Sequence, residues 1–201
     1  AFFDCKLLSE VNFSMNSDLK IIGNFVFTKS MIANIVISSN LERIEKNFFY
    51  GIPNLTSLSV SPSNRYYQYI DNKFLVAKSN SLSSDYDVLV FVRRNIEDAI
   101  IPSFIKIIAP FAFSQCKNLQ KVEFPIESEL FLIDKNAFES SSITKISIPS
   151  HVRQIGKYAF NNCHNIETVE FSDDSELELI GDHAFDNSSI ERITIPQNVY
   201  H

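Results

Sequence analysis

The sequence has no tryptophan, only four glycines and only three cysteines. Scarce glycine leaves few loops that could cradle a phosphate, and neither GxGxxG nor GxxxxGK[ST] occurs. Positive charge is not in excess: Lys and Arg number 18 against 24 Asp and Glu, a formal net charge of −6. Phosphate and anionic lipid both need a basic face, so this balance argues against nucleic-acid and membrane-surface partners. No apolar run approaches the ~20 residues of a bilayer-crossing helix, so membrane insertion by this segment is not expected. The opening Ala1-Phe2-Phe3-Asp4-Cys5 has neither an initiator Met nor the basic flank and cleavage pattern of a secretory signal.

What is present is a repeat. An apolar residue, two variable positions, a second apolar residue, one variable position and a third apolar residue recur along the chain. They read Leu8-Val11-Phe13, Ile32-Ile35-Ile37, Leu55-Leu58-Val60, Ile96-Ala99-Ile101, Leu119-Val122-Phe124, Ile143-Ile146-Ile148, Ile166-Val169-Phe171 and Ile190-Ile193-Ile195. The spacing is 23 or 24 residues except for one interval of 41, which is a normal 24 plus a 17-residue insertion. A second signature, an Ile followed five residues later by Phe, precedes the strands, as in Ile133…Ala137-Phe138 and Ile155-Gly156…Ala159-Phe160. Long and short units alternate, so the larger unit is a pair of about 47 residues. The chain begins and ends inside a repeat, which points to a mature form or a fragment of a longer array.

Each apolar-x-apolar ending has the two-residue period of a strand, with Val122 and Phe124 on one face and Glu123 on the other. The Ala-Phe segment reads as a short helical or 3₁₀ turn that plugs its Phe into the core. One repeat cannot fold alone. Burying about seven apolar side chains contributes roughly 14 kcal/mol, less than the roughly 1–2 kcal/mol per residue of backbone ordering over one repeat. Stacking supplies the rest.

The pattern Ile-Gly-x-x-Ala-Phe-x-x-Cys-x-x-Leu-x-x-Val-x-Phe/Ile-Pro resembles the BspA-like class of leucine-rich repeats. Its best match runs from Ile155 through Cys163 to Phe171. The paired style is similar to that of the BspA-like surface proteins of the protist Trichomonas. The resemblance covers essentially the whole chain. It implies an α/β fold class: one leucine-rich repeat solenoid over 1–201, with about eight repeats and a parallel β-ladder on the concave face. It also implies a non-catalytic cell-surface adhesin or antigen that contacts host or extracellular-matrix proteins. An intracellular protein-interaction scaffold in the cytoplasm is the alternative.

The insertion, about 64–94, departs from the pattern. Asp71-Asn72-Lys73-Phe74-Leu75-Val76 and Val88-Leu89-Val90-Phe91-Val92, joined by a link through Ser79, Ser81, Ser83 and Ser84, read as a hairpin. Four of the seven tyrosines, Tyr66, Tyr67, Tyr69 and Tyr86, lie here beside Arg65, Arg93 and Arg94. Tyr and Arg favour interface hot spots, which makes Tyr66, Tyr67 and Tyr69 candidate binding residues; packing of the hairpin is the other reading.

Cys5, Cys116 and Cys163 share one repeat position. Cys116 and Cys163 sit two rungs apart, roughly 10 Å at ~4.8 Å per rung, beyond the ~7 Å Cα reach of a disulfide. All three are therefore expected as buried free thiols. His151, His164, His183 and His201 form no metal spacing and read as exposed loop residues. No nucleophile-elbow context appears, and no enzyme, metal or cofactor is expected. The variable strand positions form a basic column, Lys121, Lys145 and Arg192, beside an acidic one, Glu123 and Glu170. They read either as ion pairs on a solvated face or as a polar partner-binding surface. The triplets at Asn12, Asn54 and Asn187 fit the glycan acceptor pattern of a secreted chain.

Overall fold

The computed structural model describes residues 1–80 and 83–200; Ser81 of the serine-rich link and His201 lie outside them. The first turns contribute β1 (Ile21–Ile22), β2 (Asn34–Ile37), β3 (Arg43–Ile44) and β4 (Ser57–Val60). The insertion follows as β5 (Tyr67–Ile70), β6 (Phe74–Ala77) and β7 (Val88–Val92). The later turns add β8 (Asp98–Ile100), β9 (Ile107–Ile108), β10 (Lys121–Glu123), β11 (Leu132–Ile133), β12 (Lys145–Ile148), β13 (Gln154–Ile155), β14 (Thr168–Phe171) and β15 (Leu179–Ile180).

The chain is the expected leucine-rich-repeat solenoid. Each turn uses its repeat strand in one ladder and the Ile of its second signature in another. The first ladder runs β8-β10-β12-β14 and, separately, β2-β4; the second runs from β15 through β13, β11, β9, β7 and β6 to β5 and, separately, β1-β3. Rungs pair in parallel with side chains in register, such as Ile146 with Val169 and Ile133 with Ile155. Segments 8–13 and 190–195 carry the repeat spacing but form no strand.

The α/β reading is corrected here: among the described residues there is no helix, so the solenoid consists of strands and turns, and the Ala-Phe segments are hydrogen-bonded turns, not helical ones. Five of these turns are bracketed by two residues with left-handed φ, for example Asn136 (56°) and Ser140 (58°), or Tyr158 (60°) and Asn162 (58°). A left-handed residue cannot propagate a right-handed helix. Here the turns build a third, main-chain ladder. Asn136, Phe138 and Ser140 donate to the Lys157, Ala159 and Asn161 carbonyls at 3.1, 2.7 and 2.9 Å, and Tyr158, Phe160 and Asn162 repeat this one turn later. Behind that ladder Phe113, Phe138, Phe160 and Phe185 stack nearly parallel, with centroids 4.5, 4.8 and 5.1 Å apart.

The insertion is a three-stranded meander. β5 and β6 close through Asp71 (φ 52°) and Asn72 (φ 49°), the two left-handed residues of a type I′ turn. β6 and β7 pair antiparallel, as the hairpin reading expects. β7 then pairs in parallel with β9, so it also serves as the second-ladder strand of its own turn. β6 divides two cores: Phe74 and Val76 join the C-terminal cluster, and Leu75 joins the N-terminal one.

At this seam both ladders are interrupted. Arg94 crosses it. Fully buried, it donates from Nη2 to the Phe49 and Phe111 carbonyls at 3.2 and 3.1 Å and from Nη1 to the Ala112 carbonyl at 2.8 Å, above the Phe91 ring. Cys116 and Cys163 are buried free thiols as expected, but Cys5 is exposed. Cys5 lies in the first described turn, with described chain packed on one side only.

Candidate protein-interaction face

The first ladder sets the geometry of the outward side chains. Alternation buries Val122, Ile146 and Val169 and turns Lys121, Glu123, Lys145 and Ser147 to solvent. Register places Lys121 beside Asp98 on one side and Lys145 on the other, and Ser147 beside Glu170. Two lysines on adjacent rungs repel unless each finds an anion. Lys121 pairs with Glu123 of its own strand, and Lys145 with Glu170 of the next. Ser147 donates to the second oxygen of Glu170 at 2.7 Å. The Lys121 ammonium is consequently held above its ordinary range, chiefly by its hydrogen bond to Glu123. Hydrogen bonds from Lys145 and then Ser147 hold the Glu170 carboxyl below its ordinary range.

The result is a charged lattice that is locally neutral yet exposed, over a shallow cleft of about 580 Å³ bordered by Asp98, Gln120, Lys121, Glu123 and Lys145. Arg192 is also exposed but stands beyond the last ladder strand, beside a separate cleft of about 530 Å³ along β14. The lattice thus holds Lys121, Glu123, Lys145 and Glu170 together, and Arg192 borders it. Similar pairs join the same two turns elsewhere: Arg153 to Glu176 at 3.1 Å and Lys157 to Asp182 at 3.3 Å.

The tyrosines lie apart from the lattice, at the seam. Tyr67 is buried, and its hydroxyl accepts the Ile44 N–H at 2.7 Å, filling the place of a missing rung. Burial dominates and raises its phenol above the ordinary range. Tyr66 is half-buried and lines a cleft of about 440 Å³ with Arg43 and Lys78. Tyr69 packs on the N-terminal core, with a buried hydroxyl that has no partner. Asn64 organises this corner: its amide donates to the Ser38 and Leu41 carbonyls and its oxygen accepts the Tyr66 and Tyr67 N–H groups.

The histidines pair with surface groups: His151 with Glu176, His183 with Asp186, and His164 with the Asn187 carbonyl. Among the described residues no three His, Cys, Asp or Glu side chains gather as a metal site. No described helix is long and apolar enough to cross a membrane. Two features escaped sequence reasoning. Arg94 carries no sequence sign of burial, and the left-handed turn positions hold residues as different as Phe25, Lys29, Asn136 and His183.

Several solved structures share the fold. A leucine-rich repeat protein from Eubacterium ventriosum aligns with a TM-score of 0.69 at 20% identity, over 90% of this chain and 59% of its own. The pneumococcal vaccine antigen PcpA aligns at 0.65 and 16% identity, over 96% of this chain and 56% of its own. A leucine-rich cell surface protein from Faecalibacterium prausnitzii aligns at 0.50 and 23% identity, over 78% and 52%. The chain therefore spans little more than half the length of these structures. No curated protein matches it by sequence. The model of the BspA type leucine rich repeat region matches residues 1–83 and 88–201 in six copies. By that match the chain belongs to the BspA-type leucine-rich repeat family.

Proposed function

We propose that the chain is a non-catalytic protein-binding solenoid displayed at the cell surface, where it acts as an adhesin or antigen that contacts host or extracellular-matrix proteins. The observation that carries this reading is the exposed lattice of Lys121, Glu123, Lys145 and Glu170, held in fixed register by main-chain pairing. A rigid array of paired charges presents donors and acceptors at fixed spacing, which favours selective protein contacts over generic adsorption. Solenoids commonly bind through such ladder faces. Arg192 extends the array towards the last turn, and half-buried Tyr66, apart from it at the seam, offers a second contact region, with Tyr67 and Tyr69 packed behind as its support. Surface display is supported by similarity to one structure described as a cell surface protein and another described as a vaccine antigen.

Protease shaving of intact cells tests the location. Release of peptides from this chain, without release of a cytosolic marker, is expected. Peptides that emerge only after lysis would contradict surface display and favour the cytoplasmic scaffold.

A further inference from the structure

The first ladder joins successive rungs by main-chain hydrogen bonds until it reaches the insertion. There β4 is paired on one side only: Ser57 and Ser61 donate to the Ala33 and Ile37 carbonyls of the preceding turn at 3.1 and 2.9 Å. Neighbouring residues in a strand direct their N–H and C=O groups to opposite sides. The Leu58 and Val60 groups therefore point away from β2, and β8, the next rung in chain order, shares no ladder with β4. A cleft of about 590 Å³ adjoins β4, lined by Leu58, Val60 and Pro62, by Gln68 and Ile70 of β5, and by Met15 of an earlier turn. None of its lining side chains among the described residues is charged.

An unpaired strand edge recognises one chemistry best, the regularly spaced amides of another extended chain. The gap stands where the ladder itself would place polypeptide. The uncharged lining favours uncharged side chains. We propose that this cleft binds an extended, uncharged segment of a protein partner, which adds as a strand to the free edge of β4. The inference deepens the protein-binding reading and rests on it, but it names a site distinct from the charged lattice.

Random twelve-residue peptides displayed on phage, selected on the purified 201-residue chain, provide the probe. Enriched peptides are expected to slow amide hydrogen exchange at Leu58 and Val60. Val60→Pro removes an N–H that the fold itself does not use, which an edge strand tolerates, and should weaken those peptides at least tenfold. Reversing Lys121 and Lys145 to Glu should leave them unchanged. The proposal is overturned if no peptide is enriched, or if enriched peptides leave the Leu58 and Val60 amides exchanging freely. Should Val60→Pro fail to fold, the exchange readout on the unmodified chain still decides. Failure here leaves the lattice free to bind proteins, whereas loss of binding at the lattice leaves this cleft untouched.

Discussion

Arg94 donates to the main-chain carbonyl of Phe49, a residue 45 positions earlier, and so ties the turns on either side of the seam. Its charge has no carboxylate partner; carbonyl oxygens and the Phe91 ring surround it instead, and burial lowers its pKa from the ordinary range. Removing one member of a buried polar set strands the others. Arg94→Met should therefore cost about 3 kcal/mol, and Arg94→Lys should recover little, because one ammonium cannot reach carbonyls in both blocks. Urea denaturation of the three proteins measures this. Equal midpoints for Arg94→Met and the parent would refute it.

The two cores meet only around the meander, so stability should follow neighbouring turns and not the chain as a whole. Phe138 lies between Phe113 and Phe160 in the ring stack. Phe138→Ala should cost about 3–5 kcal/mol. Hydrogen exchange should localise the loss to the turns after the meander, while the amides of β2 and β4 keep their protection. Uniform loss along the chain would show one cooperative block.

Two kinds of glycine occupy the second signature. A Cβ on Gly156 or Gly181 would lie 2.5 Å from a backbone nitrogen of the preceding turn, whereas at Gly23 the nearest atom is a Val26 methyl at 3.7 Å. Gly156→Ala and Gly181→Ala should each cost about 1–3 kcal/mol through forced backbone separation, and Gly23→Ala should be close to neutral. Thermal melts of the three variants provide the comparison.

The thiols differ by burial. Desolvation pushes the Cys163 thiol up to about 11, and burial raises Cys116 in the same direction. Alkylation needs the thiolate. At pH 8 iodoacetamide should modify exposed Cys5 in the folded chain, and all three thiols after unfolding; peptide mass spectrometry reads both. Because the folded pKa of Cys163 exceeds its ordinary 9.0, its contribution is fully present below pH 9 and is lost as pH rises towards 11. That loss is about 2 kcal/mol by linkage, and Tyr67 and Cys116 act in the same sense. Urea midpoints should fall across this window, and a flat profile would contradict the assignment.

The repeat was legible because the same apolar positions must be buried in every turn, and Ile146 or Phe138 can be read from spacing alone. Cys116 and Cys163 followed from the same argument, and Cys5 did not, because burial also depends on what stacks above and below. The meander was half legible. Phe74–Ala77 and Val88–Val92 show apolar runs, but β5 reads Tyr-Gln-Tyr-Ile and declares itself only once the Asp71-Asn72 turn folds it back on β6. The parallel pairing of β7 with β9 depends on contacts formed between turns, which local pattern does not encode. Tyr67, read as a contact residue, sits in the core because it substitutes for a rung that the insertion displaces.

Adhesion of beads coated with the purified chain to immobilised extracellular-matrix proteins tests the central claim most directly. The fourfold reversal Lys121→Glu, Glu123→Lys, Lys145→Glu, Glu170→Lys exchanges the charges of both pairs while leaving every ladder hydrogen bond in place. It should keep the parent's circular dichroism and lower bead retention at least tenfold. Equal retention by parent and variant, or no retention above uncoated beads, would contradict a protein-binding role for this face.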